Sequence, residues 1–212
     1  MPLQIPVRRV LLAGYTGRDR AQVAAHIQEL ARLGVTPPAR VPMVWDIPPA
    51  LLTTGAWIKV NGAETSGEAE FCVLANGGEL LIGVGSDHTD RRLEAIDMAA
   101  SKAACPKVLG GQVWRYADLR EQWEELLLRA WVGDGARRRL YQEGRLASFL
   151  SLEAELGELQ RWGYDALDDS VLFGGTLSTI GGLDFATHFE AELVDPRLNR
   201  SLHCRYEIVR CA

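Results

Sequence analysis

The sequence contains few cysteines, and their spacing does not match a structural zinc site. The four are Cys72, Cys105, Cys204 and Cys211. No two of them form a C-x-x-C pair, which argues against a structural zinc ion. Cys72 and Cys204 fall within apolar, strand-like runs and are expected to be small buried side chains. Since nothing in this pattern requires a disulfide, we expect a reduced, cytoplasmic protein.

Long apolar runs and blocks of positive charge are also missing. The apolar stretch after Arg8 and Arg9 is far shorter than the roughly 20 residues that span a bilayer, and it does not have the pattern of a signal peptide. Lysine and arginine total 23 against 28 aspartates and glutamates, which gives a net charge of −5. The basic residues are not interleaved with aromatics. We therefore expect neither a membrane nor a nucleic acid as a partner.

What is present is the composition of a globular protein. The 212 residues are 47% hydrophobic and 24% charged, and a chain of this length buries roughly 70% of its unfolded surface. No internal repeat or low-complexity linker divides the chain. We expect one continuous domain, in which residues 1–60 form an N-terminal strand-helix lid or small subregion and residues 61–212 form the larger part.

The apolar pattern predicts a strand-rich α+β fold. Residues 80–84 form a predicted buried strand, followed by a polar cluster and a helix with Thr89 as its N-cap. Further helices are predicted for residues 20–33, 118–128 and 151–162. Further strands are predicted for residues 7–15, 57–60, 67–74, 112–116, 128–132, 171–176, 185–194 and 202–209.

Three acidic residues fall where two neighbouring strands would bring them together. Glu68 and Glu70 are two residues apart, so their side chains point to the same side of a strand. A glycine turn then leads into the next strand, whose far end carries Asp87. Adjacent carboxylates repel unless a proton or cation lies between them, and their oxygens suit Mg²⁺, Mn²⁺ or Ca²⁺. The alternative is a solvent-facing strand end with acidic side chains.

A histidine and a glutamate lie close together on the first predicted helix. His26 falls on its apolar stripe, and Glu29 follows three residues later. Residues three apart on a helix can touch, so the carboxylate can orient and charge the imidazole as a general base requires. The alternative is a half-buried histidine next to a solvated glutamate.

A glycine-rich turn follows the apolar run that starts at Val171. In Gly174-Gly175-Thr176, two glycines allow backbone N–H groups and one hydroxyl to approach the anionic end of a ligand. A tight corner of a sheet would need the same residues, so composition alone leaves both interpretations open.

Taken in order, these motifs resemble the catalytic domain of the fumarylacetoacetate hydrolase family, and most of all a bacterial branch of it. The resemblance covers most of the chain, from about residue 13 to residue 206. The Glu-x-Glu metal pair of the family looks like Glu68-Ala69-Glu70. Its turn with a third metal-binding aspartate looks like the segment that contains Asp87 and Arg91, and its lysine near the metal looks like Lys102.

The family's lid and substrate motifs have counterparts as well. Its Gly-x-Asn-Tyr element is similar to Gly14-Tyr15, and its His-x-x-Glu element is similar to the segment from His26 to Glu29. Its Gly-Thr turn, which lies on the carboxylate side of the substrate, looks like Gly175-Thr176.

The resemblance implies a mixed β-sandwich roll with a few flanking helices, and residues 61–212 would be its catalytic β-roll domain. It implies Mg²⁺ or Mn²⁺, with Ca²⁺ as a further option, on three carboxylates, and a homodimer. The implied metal ligands are Glu68, Glu70 and Asp87, the catalytic residues are His26, Glu29 and Lys102, and the substrate-binding residues are Tyr15, Arg91, Gly175 and Thr176.

The function that this resemblance implies is metal-dependent hydrolysis of a C–C bond in a small oxo-acid, such as an acylpyruvate or a β-diketo acid. Without an activated water, the same site would decarboxylate or tautomerise its substrate. A third hypothesis is a non-catalytic member of the fold that binds a small molecule. It is motivated by the longer spacing from Tyr15 to His26 and by Asp46, which stands where the family has a lysine.

Overall fold

Strands dominate the chain, and short helices and turns connect them. The computed structural model describes residues 4–32, 34–164 and 167–211. In chain order the helices are α1 (Arg20–Arg32), α2 (Arg91–Glu94), α3 (Met98–Ala103) and α4 (Leu152–Arg161). The strands are β1 (Arg9–Gly14), β2 (Met43–Ile47), β3 (Leu52–Thr53), β4 (Trp57–Asn61), β5 (Thr65–Ser66), β6 (Ala69–Asn76), β7 (Glu79–Asp87), β8 (Thr89–Asp90), β9 (Lys107–Leu109), β10 (Trp114–Arg115), β11 (Leu127–Val132), β12 (Arg139–Arg145), β13 (Ser170–Thr176), β14 (His188–Asp195) and β15 (Arg200–Cys211). The predicted α+β class is confirmed.

The larger sheet has the strand order β2-β1-β13-β6-β7-β9-β3, and β10 pairs with β7. β1 runs parallel to β13, whereas β6 is antiparallel to both β13 and β7. Its central strands carry uninterrupted apolar runs because both faces of the sheet are covered. In β6, Phe71 and Val73 face one hydrophobic cluster, while Cys72 and Leu74 face the other.

The smaller sheet has the strand order β12-β11-β14-β15-β4. In β14, Phe189, Ala191 and Leu193 are buried and alternate with half-buried residues. This period of two is typical of a sheet with one face on the core and the other toward solvent. The inner face packs on the larger sheet around Tyr141 and Tyr206, so the main core lies between the two sheets.

The first 60 residues contribute strands to both sheets. β1, β2 and β3 belong to the larger sheet, whereas β4 runs parallel to β15 in the smaller one. β2 is an edge strand, which suits a segment flanked by prolines. The functional division at residue 60 stays a prediction.

The helix predicted for residues 118–128 is wrong. The chain forms 3₁₀ turns at Tyr116–Asp118 and Arg120–Glu125 and then enters β11. In β11, Leu128, Ala130 and Val132 are buried at every second position. β11 pairs with β12 on one side and β14 on the other. This pairing satisfies the backbone groups of the segment and overrides its helical spacing.

The single helix predicted after Asp87 is instead two short helices. Thr89, the expected N-cap, lies in β8, and Asp90 caps α2 by accepting two backbone N–H groups. Asp97 then caps α3 in the same way, with one backbone N–H. Because aspartate oxygens capture the free N–H groups at a helix start, the second cap begins a new helix within the predicted one.

The other predicted helices and strands are present with shifted ends. The predicted helix 151–162 is α4, with the Ser151 hydroxyl as its N-cap, and the predicted strand 112–116 shortens to β10. Residues 137–144, for which no element is predicted, include most of β12. The predicted end of the first helix, Leu33, lies outside the described residues. No helix within the described ranges has the length and apolar character needed to cross a membrane.

Candidate functional site

Strands β6 and β7 bring three acidic side chains together. Glu70 in β6 lies opposite Gly85, and the backbone N–H of Asp87 donates a hydrogen bond to the carbonyl oxygen of Glu68 (3.0 Å). This register places the end of β7 beside the start of β6. One carboxylate oxygen of each acidic residue lies within 4.8 Å of those of the other two. The hairpin therefore assembles the predicted cluster of oxygens, and the cluster is buried.

Lys102 on α3 lies between two of these carboxylates. Its Nζ is 2.6 Å from Glu68 Oε2 and 2.7 Å from Asp87 Oδ2, and it donates a hydrogen bond to the Thr89 hydroxyl (3.1 Å). Burial by itself lowers the pKa of Lys102, but Asp87 and Glu68 outweigh it and raise the pKa above its ordinary value. The ammonium is therefore charged at neutral pH.

Two further cations face the other oxygens of the same carboxylates. Arg91 Nη1 is 3.0 Å from Glu68 Oε1, and Lys107 Nζ is 2.7 Å from Asp87 Oδ1. Burial by itself raises the pKa of Glu68, but Lys102 and Arg91 outweigh it and lower the pKa to about 2. Glu68 is therefore ionised at neutral pH.

Glu70 is held differently. Among the described residues, its carboxylate accepts one hydrogen bond, from the backbone N–H of Gly175 to Oε2 (2.7 Å). Burial raises the pKa of Glu70 well above its ordinary value, and the charges of Asp87 and Glu68 raise it further. Lys102 and the Gly175 N–H oppose this effect without cancelling it. Glu70 therefore marks a position where additional positive charge would be stabilising.

This arrangement fits a divalent cation. The cluster offers carboxylate oxygens, which suit hard cations such as Mg²⁺ and Mn²⁺. A cation beside Glu70 would favour its ionised form, because the ion would be the largest local charge. Glu68, Glu70 and Asp87 are thus the residues that could hold a metal ion.

All residues predicted for the site line one open cleft with a volume of about 1050 Å³. They are Tyr15, His26, Glu29, Glu68, Glu70, Asp87, Arg91, Lys102, Gly175 and Thr176. The walls also include apolar side chains such as Trp45, Met98 and Leu183. The structure therefore brings the predicted residues to one place, while their roles in binding and catalysis stay predictions.

Helix α1 carries His26 and Glu29 to this cleft. His26 Nδ1 is 3.9 Å from Glu29 Oε2, which is longer than a hydrogen bond, and the two side chains are 60% and 72% exposed. Among the described residues of α1, none is buried. The two side chains are thus adjacent, as predicted, but solvent surrounds both of them.

Tyr15 lies between α1 and β2. Its backbone is left-handed (φ 60°), which is uncommon outside glycine and is found most often at functional sites. Its ring centroid is 6.5 Å from the centroids of both His26 and Trp45. Burial raises the pKa of Tyr15, and Glu94 raises it further, although Lys102 lowers it. At neutral pH the phenol is therefore protonated and can donate a hydrogen bond.

The glycine turn at the end of β13 meets the acidic cluster. Gly175 has φ +112°, and a Cβ at this position would collide with the Thr16 hydroxyl, so the turn requires glycine. The Thr176 hydroxyl donates to the carbonyl oxygen of Ala69 (3.0 Å) and accepts from Gln142 Nε2 (2.8 Å). A substrate that used this hydroxyl would therefore compete with bonds inside the protein.

Arg91 is buried and engaged by its neighbours. Its guanidinium contacts Glu94 Oε2 (2.8 Å) and Ser66 Oγ (2.7 Å), besides Glu68. Burial by itself lowers the pKa of Arg91, but Glu68 and Glu94 outweigh it and raise the pKa. These contacts orient Glu68, and the predicted contact between Arg91 and a substrate stays a prediction.

Sequence reasoning missed Lys107 and Gln142. Lys107 in β9 contacts Asp87, and Gln142 in β12 accepts a hydrogen bond from the backbone N–H of Ala69 (2.9 Å). Both contacts arise from strand pairing and sheet packing between distant segments. No local spacing in the sequence indicates them.

Comparison with protein families gives one match that covers most of the chain. Residues 13–206 match the model of a family described as "Protein of unknown function (DUF2848)". A search of curated proteins finds no match.

Several solved structures are similar to this one. 2-Keto-3-deoxy-D-arabinonate dehydratase complexed with magnesium and 2,5-dioxopentanoate has a TM-score of 0.67 at 18% identity, over 98% of this chain and 74% of that chain. 5-Carboxymethyl-2-hydroxymuconate delta-isomerase from Mycobacterium smegmatis has a TM-score of 0.65 at 16% identity, over 98% of this chain and 81% of that chain. A proposed fumarylacetoacetate isomerase/hydrolase from Oleispira antarctica has a TM-score of 0.66 at 17% identity, over 99% of this chain and 96% of that chain.

At these identities the structural neighbours show the fold, and their different reactions do not select one for this chain. One of these neighbours, the protein from Oleispira antarctica, carries the name of the family that the motifs resemble. The chain belongs to the DUF2848 family, and its fold is that of the fumarylacetoacetate hydrolases.

Proposed function

We propose that this protein is a divalent-metal-dependent enzyme that hydrolyses a C–C bond in a small oxo-acid, such as an acylpyruvate or a β-diketo acid. The observation that carries the proposal is the buried cluster of Glu68, Glu70 and Asp87, which lines a cleft together with Lys102 and His26. The similarity to a dehydratase complexed with magnesium and 2,5-dioxopentanoate supports a metal and an oxo-acid on this fold.

Glu68, Glu70 and Asp87 would hold Mg²⁺ or Mn²⁺. When bound, the cation supplies a Lewis acid for the oxo and carboxylate oxygens of the substrate. Lys102 adds positive charge at the same place, since its Nζ lies within 2.7 Å of two of the three carboxylates. The ammonium of Lys102 would stabilise negative charge that develops on the substrate.

His26 would accept the proton of the attacking water, and Glu29 would stabilise the imidazolium that forms. Both side chains line the cleft, but they are exposed and 3.9 Å apart. The described residues of α1 include none that is fully buried, although Val23, Ile27 and Leu30 are half-buried. We propose that a shift of this helix over the cleft accompanies substrate binding and excludes bulk water from the pair.

A second candidate function is enolisation without hydrolysis, as in tautomerisation, decarboxylation or dehydration. The exposure of His26 and Glu29 favours it, because a water activated there is not shielded from bulk solvent. Lys102 and the acidic cluster would serve this reaction as well, since both reactions pass through negative charge next to the oxo group.

One experiment separates these functions. Chelator-treated protein is mixed with acetylpyruvate or benzoylpyruvate and Mg²⁺, and two readouts are recorded: pyruvate release in a coupled assay, and solvent deuterium exchange at the substrate carbon by NMR. For hydrolysis we expect both readouts in the wild type. His26→Gln should lose pyruvate release about 100-fold or more while it retains exchange.

Two variants complete the test. Glu70→Gln, which is nearly isosteric, should lose both readouts, whereas Glu64→Gln alters an exposed side chain and should keep both. Exchange without pyruvate release in the wild type would select the second candidate function. If the wild type shows neither readout above the uncatalysed rate with any acylpyruvate, the proposal is wrong.

A further inference from the structure

Lys107 is a fully buried lysine that contacts a proposed metal ligand. Its Nζ is 2.7 Å from Asp87 Oδ1 and donates a hydrogen bond to the carbonyl oxygen of His88 (2.6 Å). The pairing of β7 with β9 places Lys107 directly opposite Asp87. Since the lysine is 0% exposed, it does not reach a substrate in the cleft.

The acidic cluster shows the same pattern at each of its carboxylates. One oxygen of every group is held by a protein donor other than Lys102: Arg91 holds Glu68 Oε1, the Gly175 N–H holds Glu70 Oε2, and Lys107 holds Asp87 Oδ1. The remaining oxygens of Glu68 and Asp87 converge on the ammonium of Lys102. A cation that took the place of this ammonium would therefore meet one oxygen from each carboxylate.

This pattern matters for the identity of the metal. Ca²⁺ takes six to eight oxygen ligands and commonly binds carboxylates through both oxygens, whereas Mg²⁺ requires an octahedral set and accepts single oxygens. We propose that Lys107 is a positioning residue that limits Asp87 to one ligand oxygen and thereby makes the site prefer Mg²⁺ or Mn²⁺ over Ca²⁺. This inference rests on the proposed function, because it presupposes a metal ion on the cluster.

Lys107 also has a second effect, which the experiment must separate. Its positive charge repels every divalent cation, so removing it would strengthen Mg²⁺ and Ca²⁺ binding by similar factors. Positioning acts differently, since it changes the two affinities by different factors. The ratio of the Ca²⁺ and Mg²⁺ dissociation constants therefore isolates the positioning role.

Calorimetric titration of chelator-treated protein with Mg²⁺ and with Ca²⁺ tests the proposal. The wild type should bind Mg²⁺ more tightly. In Lys107→Met, which keeps the length of the side chain and removes the ammonium, the ratio should shift toward Ca²⁺ by about tenfold or more, the scale on which outer-shell partners affect metal sites. Lys59→Met, at an exposed position of β4, is the matched control and should leave the ratio unchanged.

The outcomes distinguish this inference from the proposed function. A Lys107→Met variant that changes both affinities by one common factor overturns the positioning role, and so does a wild type that prefers Ca²⁺. A wild type that binds neither cation overturns the proposed metal-dependent function itself. Should Lys107→Met fail to fold, Lys107→Leu, which also removes the donor and the charge, gives the same comparison.

Discussion

Glu155 on α4 is a buried carboxyl group without a hydrogen-bond partner among the described residues. Leu152, Glu155 and Leu159 form the inward face of the helix, at spacings of three and four residues. Glu155 is 0% exposed, and neither of its side-chain oxygens has a partner in the described part of the chain. Burial raises its pKa well above the ordinary value. The group therefore keeps its proton at a pH where a solvated glutamate has lost it.

The direction of the pH effect follows from this difference. In the unfolded chain the carboxyl has an ordinary pKa near 4.3, so between that pH and the raised pKa only the folded state binds the proton. The free energy of unfolding then falls as pH rises, by up to about 1.4 kcal/mol per pH unit. Below about pH 4 both states are protonated and the effect vanishes. Even when it is neutral, this carboxyl lowers the free energy of unfolding by roughly 1–3 kcal/mol, because it is buried without a hydrogen-bond partner among the described residues.

Glu155→Met fills a similar volume without polar atoms. We expect it to increase the free energy of unfolding by about 1–3 kcal/mol at pH 5, and by a larger amount as the pH rises toward the raised pKa of Glu155. Urea unfolding at several pH values measures this difference. Glu121→Met, at an exposed site, is the control and should change stability by less than about 0.5 kcal/mol at every pH. A difference that does not grow with pH, or a destabilised Glu155→Met, would refute the reasoning.

Three further predictions concern the surroundings of the site and the thiols. Gly175→Ala should destabilise the protein by about 1–3 kcal/mol or more, because the new Cβ meets Thr16 and the backbone is left-handed; calorimetry would show a lower melting temperature, and an unchanged one would contradict the structure. Arg91→Met should cost about 3–5 kcal/mol in urea unfolding, since it leaves Glu68 buried with one cation fewer, and Arg20→Met, at an exposed site, should cost almost nothing. Ellman's reagent should modify only Cys211 quickly in the folded protein and all four cysteines after unfolding. Burial raises the pKa of the other three thiols, to about 11 for Cys105 and about 12 for Cys204. Fast modification of a second thiol would show that this part of the core opens.

The acidic cluster was predictable because its geometry is local. Two residues on one strand share a face whenever they are two apart, and the glycine turn between β6 and β7 leaves few ways to pair them. The same reasoning predicted that Asp87 would approach Glu68 and Glu70. His26 and Glu29 were predictable as neighbours for the corresponding reason on a helix, although the spacing does not give their distance or their exposure.

Residues 118–128 show where local reasoning failed. Their leucines and tryptophan have helical spacing, but Leu128, Ala130 and Val132 also fit a strand with every second residue buried. Short apolar segments are ambiguous between these two periods. The choice was made by pairing with β12, the next strand, and with β14, which lies far along the chain.

The sequence by itself determined the strand-rich class, the shared face of Glu68 and Glu70 and the proximity of His26 to Glu29, because these depend on spacings of two to four residues within single elements. The other candidate residues of the cleft came from the resemblance to a known family. Only the tertiary structure decided which oxygen of each carboxylate faces which cation. Lys107 reaches Asp87 because β9 pairs with β7, and Gln142 reaches Thr176 because the two sheets pack face to face. Such contacts depend on the register between distant strands. Burial of the whole core fixes this register, so no short stretch of sequence predicts it.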